Sequence, residues 1–429
     1  MYNPVMQLLD RFFGLQDIPR QYRRNFTNLF LDMAWVGVLS GSTLAFLSIY
    51  AARLGASTFQ VGLLGAMPAV VNLFFAIPTG QWLQSRAIGK AVFWTSVLYR
   101  FGYLCLVPLP WLFADQSQVW ALILLALFMG IPGTALAVGF NALFAEAVPT
   151  AWRARVAGNR NVVLALVYVI TTILCGVILN RMPFPTGYQV VFGIGFLGAA
   201  MSSFHLFFVK SLVIPLVDQT QPKAGLEQAN PHGLRDWIAR IQEKFLRVDL
   251  WKSPFRKVLL VLFFFHLSQF LTIPLFPIYF VNNIHLNDQQ IGIGTAVFYL
   301  TVFLGSTQLA RICHKLGTHK VTGVGAIAMS LYPILLSFSG TYLHYLVVSF
   351  IGGFSWSMVG GALANYLLEK IPESDRPAHL AWYNIVLNAA ILGGSLIGPV
   401  FSIWLGVKLA LLILGFSRLG AGLVILKWG

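Results

Sequence analysis

Long hydrophobic runs, separated by short polar segments, extend along nearly the whole of this 429-residue chain. A helix of about 20 apolar residues spans the hydrocarbon core of a bilayer, and each run reaches roughly that length. The pattern therefore predicts an all-α membrane protein with twelve transmembrane helices. We place these helices at about 26–52, 58–82, 89–110, 118–147, 156–180, 187–212, 256–282, 289–313, 320–338, 341–369, 377–403 and 405–427.

Short sequence patterns of the first half return in the second half. The Phe-Gln-Val-Gly segment at 59–62 returns as Gln-Gln-Ile-Gly at 289–292, and an Ile-Tyr pair occurs at both 49–50 and 278–279. Two related halves are typical of membrane transporters, in which two similar bundles move about a site between them. The repeat predicts two pseudo-repeated six-helix bundles. The expected divisions are a cytoplasmic segment 1–25, a bundle 26–212, a cytoplasmic loop 213–255 with an amphipathic helix, and a bundle 256–429.

Composition and charge agree with a membrane protein. Apolar residues make up 57% of the chain and charged residues only 10%, which leaves too little polar sequence for a soluble domain. The net charge is +15, and most basic residues fall on one side of the predicted helices. This asymmetry places both termini in the cytoplasm by the positive-inside rule and argues against nucleic-acid binding. The three cysteines have no paired or metal-ligand spacing, which favours small apolar packing residues. Neither a metal nor a cofactor is expected.

The loop between the second and third predicted helices contains Gly80, Arg86, Gly89 and Lys90. Together with two sets of six helices, this loop resembles the signature of the major facilitator superfamily, although Gln84 stands where that family has an aspartate. A second, weaker copy runs from Gly305 to Lys320. The resemblance covers roughly residues 25–428. It implies a monomeric transporter of the inner (plasma) membrane that works by alternating access between two bundles.

Candidate gate residues come from this loop and from a second repeated device. In that device a glutamate ends a helix, a proline follows, and an arginine begins the next helix. The similar positions in the superfamily imply contacts at the cytoplasmic gate. The alternative is that the basic residues only anchor the loops by the positive-inside rule. The gate candidates are Gly80, Arg86, Gly89, Lys90, Glu146, Arg153, Glu369 and Arg376.

Ionisable residues inside the membrane are candidates for binding substrate or a coupling ion, because burying a charge there is costly. Asp32 is the one acidic residue well inside a predicted helix, and it could take up a proton. Arg100 could bind an anionic substrate or form a structural ion pair with Asp32. His266 could titrate near neutral pH, or it could simply be hydrogen-bonded within the bundle.

Other candidates follow from the resemblance, which implies that the first, fourth, seventh and tenth helices line the transport cavity. It nominates Trp35, Gln269 and Trp356 as substrate contacts. Aromatic rings beside amides and hydroxyls suit an amphiphilic ligand. The alternative for each is packing against lipid or neighbouring helices.

The functional hypothesis is a secondary transporter of a small organic solute, with proton-coupled efflux of amphiphilic or drug-like compounds as the first candidate. The chain has no phosphate-binding loop for nucleotide hydrolysis and no catalytic constellation, so an enzyme is not expected. The drug-antiporter arginine that the resemblance implies for the fourth helix is missing from 121–148. The alternative is a non-transporting membrane assembly or lipid-handling factor on the same fold.

Overall fold

The computed structural model describes residues 18–211, 248–372 and 375–429, and in these segments every regular element is helical. The predicted amphipathic helix of the central loop lies outside the described residues. The helices are α1 (Arg20–Leu39), α2 (Ala45–Arg53), α3 (Thr58–Gln84), α4 (Ile88–Cys105), α5 (Leu109–Leu112), α6 (Asp115–Ala147), α7 (Thr150–Arg181), α8 (Thr186–Phe207), α9 (Phe255–Thr272), α10 (Leu275–Ile278), α11 (Asp288–Leu316), α12 (Thr318–Ser337), α13 (Tyr342–Glu369) and α14 (Arg376–Trp428).

Ten helical stretches in the described part of the chain are long and apolar enough to cross a membrane. This confirms an all-α membrane protein, whereas the count of twelve crossings stays a prediction. The helix α4 is not among the ten, and it carries Lys90 and Arg100. The helix α14 is broken at Gly406, where φ is 76° and ψ is 155°, a conformation that glycine adopts readily. Two helices therefore meet at this residue.

Two long helices begin with the same capping arrangement. At the start of α3, the Ser57 side chain accepts a hydrogen bond from the Gln60 backbone, and the Gln60 side chain accepts one from the Ser57 backbone. Asn287 and Gln290 form the equivalent pair at the start of α11. Such capping boxes satisfy amide groups that would otherwise lack partners at a helix N-terminus. The glutamine shared by the 59–62 and 289–292 segments thus has the same local role in both.

A buried aromatic cluster joins α2 to α8. The ring of Tyr50 lies 4.8 Å from that of Tyr188 and 5.2 Å from that of Phe192, and the Tyr50 side chain is fully buried. Its hydroxyl donates a short hydrogen bond to the Gln118 amide oxygen on α6. A buried tyrosine normally finds such a partner, because an unsatisfied hydroxyl is costly in apolar surroundings.

The N-terminal helices (α1–α8) contact the C-terminal helices (α9–α14) chiefly where α3 packs on α14 and α7 packs on α11. At one end of the molecule, Arg53 donates to the Leu286 carbonyl (2.6 Å) and pairs with Asp288 at 3.0 Å. At the same end, the hydroxyls of Thr58 and Ser402 are 2.8 Å apart. This end, which we call the latched end, is therefore closed by contacts between the two sets of helices.

Glycines make the close approach at the latched end possible. A Cβ atom on Gly62 would lie 2.1 Å from the Ser395 carbonyl oxygen of α14. A Cβ atom on Gly292 would lie 3.0 Å from the Thr172 carbonyl oxygen of α7. The repeated Gln-Val-Gly and Gln-Ile-Gly segments thus supply both a helix cap and a contact between the two sets of helices.

We predict that Gly62→Ala destabilises this state, because the added methyl group would collide with the backbone of α14. Overpacking of this kind costs roughly 1–3 kcal/mol, so the melting temperature of the purified protein should fall. Gly65→Ala is the matched control, since the nearest atom to its added Cβ, Ser395 Oγ, is 4.0 Å away. Equal melting temperatures for the two variants would contradict the close contact at Gly62.

Candidate functional site

A buried charged cluster lies among the N-terminal helices, centred on Asp32 in α1. One carboxylate oxygen of Asp32 is 3.7 Å from the Arg100 guanidinium on α4, and the other is 3.4 Å from the Arg160 guanidinium on α7. The Ser202 hydroxyl on α8 donates a short hydrogen bond to the same carboxylate. The side chains of Asp32 and Arg160 are only 3% and 11% exposed. One buried carboxylate therefore pairs with two buried guanidinium groups.

The two arginines have further partners that hold them in place. Arg100 donates to the Ser203 hydroxyl at 2.9 Å, and this hydroxyl also accepts a hydrogen bond from Ser96 at 3.0 Å. The Arg160 guanidinium carbon lies 4.4 Å from the centre of the Phe140 ring, a distance at which cations and aromatic faces attract each other. The cluster nevertheless has an excess of one positive charge.

This cluster forms part of the lining of a cavity of about 510 Å³ among the N-terminal helices. Its other polar lining includes Asn72 of α3 and Thr134 of α6, which are joined by a 2.6 Å hydrogen bond. Asn72 also donates to the Asn388 amide oxygen of α14 at 3.3 Å, so the lining is connected to a C-terminal helix. Most of the remaining lining is apolar, as in pockets that bind organic molecules.

A second cavity, of about 280 Å³, lies among the C-terminal helices and is lined by Arg418 of α14. Arg418 is 2% exposed and donates to the Thr272 hydroxyl at 2.6 Å and to the Gln269 carbonyl at 2.8 Å. Its Nε atom has no hydrogen-bond partner, and no carboxylate in the described segments pairs with it. Tyr332 and Ser349 also line this cavity.

The structure brings some of the predicted substrate candidates together and leaves others apart. Asp32 and Arg100 line the first cavity, and Gln269 and Trp356 line the second. His266 is buried outside both linings, with its Nε2 atom 3.1 Å from the Tyr383 hydroxyl. Trp35 lies beside Gly198 of α8 and lines neither cavity.

The gate candidates near α6 and α13 contact their own sets of helices. Arg153 donates to the carbonyls of Ala145 (2.6 Å) and Val148 (3.0 Å), so it caps the C-terminal end of α6. The Glu369 carboxylate accepts a hydrogen bond from Thr318 of α12. Both residues lie at the end opposite the latched end, and their role as gates stays a prediction, as does that of Glu146 and Arg376.

The gate candidates at the α3–α4 junction, from the end of α3 to the start of α4, are exposed or partly exposed. Arg86 lies over the Trp82 ring, with 5.2 Å between the guanidinium carbon and the ring centre. A Cβ atom added at Gly80 or Gly89 would meet no atom within 4 Å. No neighbouring helix therefore packs closely against these two glycines in this conformation, and their role as gate residues, like that of Lys90, stays a prediction.

Two arginines of the cavities were missed as candidates. Arg160 lies near the cytoplasmic start of the predicted helix 156–180, whereas α7 begins earlier, at Thr150, and carries Arg160 into the protein. Arg418 lies within the predicted helix 405–427, but the sequence shows no partner for it. The only sequence signal for either residue is a basic side chain within a predicted membrane helix.

We predict that Asp32→Asn destabilises the protein, because it leaves the guanidinium groups of Arg100 and Arg160 buried without a counter-charge. Removing one member of a buried pair typically costs about 3–5 kcal/mol. Thermal unfolding of the purified variant measures the loss. Asp115→Asn is the control, since Asp115 is an exposed residue in the first turn of α6. If both variants unfold at the same temperature, the cluster is not the stabilising pair described here.

Comparisons with known proteins agree with the fold. The family model described as Major Facilitator Superfamily matches residues 258–428. The cis,cis-muconate transport protein of Acinetobacter baylyi (strain ATCC 33305 / BD413 / ADP1) is 23% identical over 380 residues, which are 87% of this chain and 85% of the relative.

Solved structures of transporters share the whole architecture. The nucleoside transporter NupG superposes with a TM-score of 0.64 at 13% identity, covering 96% of this chain and 100% of NupG. The human organic anion transporter TETRAN superposes with a TM-score of 0.63 at 15% identity, covering 95% and 100%. These similar proteins are transporters and not enzymes. The family match over the C-terminal part of the chain, the relative and the shared fold agree with one another: the chain is similar to membrane transporters of the major facilitator superfamily.

Proposed function

We propose that this transporter carries a small organic anion bearing a carboxylate. The observation that carries the proposal is the charge of the two cavities. Together they are lined by Arg100, Arg160 and Arg418 but by a single acid, Asp32. Each unmatched charge in a membrane interior is costly, and a carboxylate is a partner that guanidinium binds well. An anionic substrate offsets this excess, whereas a cationic substrate would add to it.

The other lining of the cavities and the comparisons support the same substrate class. Apolar and aromatic side chains such as Tyr99, Tyr103 and Phe140 surround the charged groups of the first cavity, which suits the carbon skeleton of an organic acid. The relative from Acinetobacter baylyi is named for cis,cis-muconate, and the solved human structure is that of an organic anion transporter.

Transport by alternating access follows in this proposal from the arrangement of the two sets of helices. We infer that α4 and both parts of α14 also cross the membrane, giving twelve crossings in bundles 26–212 and 256–429. With both termini in the cytoplasm of a bacterial-type inner membrane, the latched end faces outward. Arg86, Lys90, Glu146, Arg153, Glu369 and Arg376 would then lie at the cytoplasmic end, where the gates form in the opposite state.

Proton coupling is a separate part of the proposal and rests on Asp32. It is the one acid in the linings of the two cavities, so it is the group there that could exchange a proton as its arginine partners move. Efflux driven by a proton gradient would follow if protonation of Asp32 frees Arg100 and Arg160 for the substrate. The protein would act as a monomer and would need no cofactor.

Counterflow in proteoliposomes tests the anion proposal. Vesicles preloaded with unlabelled cis,cis-muconate or benzoate should accumulate the same labelled compound, and vesicles without protein should not. Benzamide and tetraphenylphosphonium are the neutral and cationic controls, and they should neither accumulate nor compete. Saturable accumulation of the cation but not of the acids would contradict an anion carrier. No accumulation of any probe in this panel would favour the non-transporting alternative.

An imposed proton gradient tests coupling in the same vesicles. We expect the initial rate of carboxylate uptake to change several-fold when the pH difference across the membrane is reversed, because a coupled carrier moves both species together. A protonophore should remove the difference. An initial uptake rate that changes with neither the pH gradient nor the protonophore would rule out proton coupling. It would not argue against anion transport.

A further inference from the structure

We propose that Arg418 and the cavity beside it form a carboxylate-binding subsite for ligands whose carboxylate is attached to a flat apolar group. This inference rests on the proposed function and deepens it, because it locates one part of the substrate site in the C-terminal helices. Two observations support it: Arg418 is buried with an unpartnered N–H group, and it lines a cavity with aromatic walls.

The contacts of Arg418 leave both charge and bonding capacity unused. Its described acceptors are neutral, namely the Thr272 hydroxyl at 2.6 Å, the Gln269 carbonyl at 2.8 Å and the Met329 carbonyl at 3.3 Å. A guanidinium has five N–H donors and stays protonated in proteins. The Nε–H of Arg418 is buried and unpartnered, and its positive charge has no carboxylate partner among the described residues.

A purely structural role explains only part of this arrangement. Thr272 is the last residue of α9, and the carbonyls of the last turn of a helix lack intrahelical N–H partners, so carbonyls there can accept from Arg418. Arg418 thus stabilises the end of α9. That role would be filled by a neutral donor as well, and it does not account for a full charge inside the membrane.

Arg100 has a carboxylate partner, whereas Arg418 has none among the described residues. Arg100 is buried to a similar degree, but the Asp32 carboxylate lies 3.7 Å away and the Ser203 hydroxyl 2.9 Å away. The cavity beside Arg418 offers no such acid in its lining. A carboxylate entering this cavity would supply the missing counter-charge, and Arg–carboxylate pairs are frequently joined by two parallel hydrogen bonds.

The walls of the cavity indicate what the carboxylate is attached to. Phe298, Tyr332, Tyr345 and Trp356 line a volume of about 280 Å³. The Ser349 hydroxyl in the same lining is buried without a close hydrogen-bond partner and lies near the Tyr332 and Tyr345 hydroxyls, so it is a second polar group available to a ligand. Aromatic walls with a few placed polar groups favour a flat, apolar skeleton of modest size.

Benzoate is the probe for this subsite, because it joins a carboxylate to a flat ring. Its binding to the detergent-purified full chain should raise the melting temperature with increasing concentration, since a ligand of the folded state stabilises it by mass action. Benzamide has the same shape without the charge, acetate has the charge without the ring, and chloride is a simple anion. Each of these should bind at least about tenfold more weakly than benzoate. Equal binding of benzamide or chloride would overturn a carboxylate subsite.

The benzoate affinity of two variants tests whether benzoate binds in this cavity. Arg418→Lys keeps the charge but loses the planar fork, so benzoate affinity should fall about tenfold or more. Arg181→Lys is the matched control at an exposed position, and its affinity should equal that of the wild type. Benzoate binding unchanged in Arg418→Lys would overturn the subsite.

If Arg418→Lys does not fold, a second pair of variants tests the subsite. Ser349→Ala removes an unpartnered hydroxyl, so benzoate affinity should fall several-fold while the melting temperature without ligand does not drop. Ser349→Val adds bulk to the cavity and should weaken binding further. If neither variant changes benzoate affinity while the wild type still exchanges carboxylates in vesicles, the subsite is wrong and anion transport stands. If the wild type neither binds nor exchanges a carboxylate, both proposals are wrong.

Discussion

The cost of holding charge inside a membrane governs how this protein is built. In the low-dielectric interior, each charged side chain needs a counter-charge or a set of oriented dipoles. The N-terminal helices meet this need with Asp32, which is shared between Arg100 and Arg160. The C-terminal helices meet it with hydroxyl and carbonyl oxygens at the end of α9, which accept from Arg418. Both solutions leave positive charge in excess, and in our account the substrate supplies the balance.

The latched end is closed by a small number of contacts between the N-terminal and C-terminal helices. The close approach depends on Gly62 and Gly292, which bring helix backbones together without interlocking side chains. The polar contacts there are few, chiefly the Arg53–Asp288 pair and the hydroxyl contact of Thr58. The Arg53 and Asp288 side chains are 26% and 13% exposed, so this pair is one partly buried contact and not an extended network. In our account, the free energy of substrate binding reverses this closure during alternating access.

Much of the fold could be predicted from the sequence, because hydrophobic length and helix-capping residues act locally. The helix α3 was expected at about 58–82 and spans Thr58–Gln84, and the proximity of Asp32 to Arg100 was one of the two alternatives considered. Arg160 and Arg418 were not identified, because their roles depend on which helices become neighbours. The predicted helix 156–180 contains Arg160 near its start, but the pattern does not show that this residue meets Asp32. The contact of Gly62 with α14 could not be predicted either, because hydropathy does not show which helices pack together.

The most direct test of the account is to locate a bound carboxylate in the protein. Crystals grown with a saturating bromine-labelled benzoate would show the bromine by its anomalous scattering, and the map would show the carboxylate beside it. The account predicts a peak within one of the two cavities, with the carboxylate at hydrogen-bonding distance from Arg418, Arg100 or Arg160. A well-occupied ligand found only outside both cavities, or one whose carboxylate contacts none of these arginines, would contradict it.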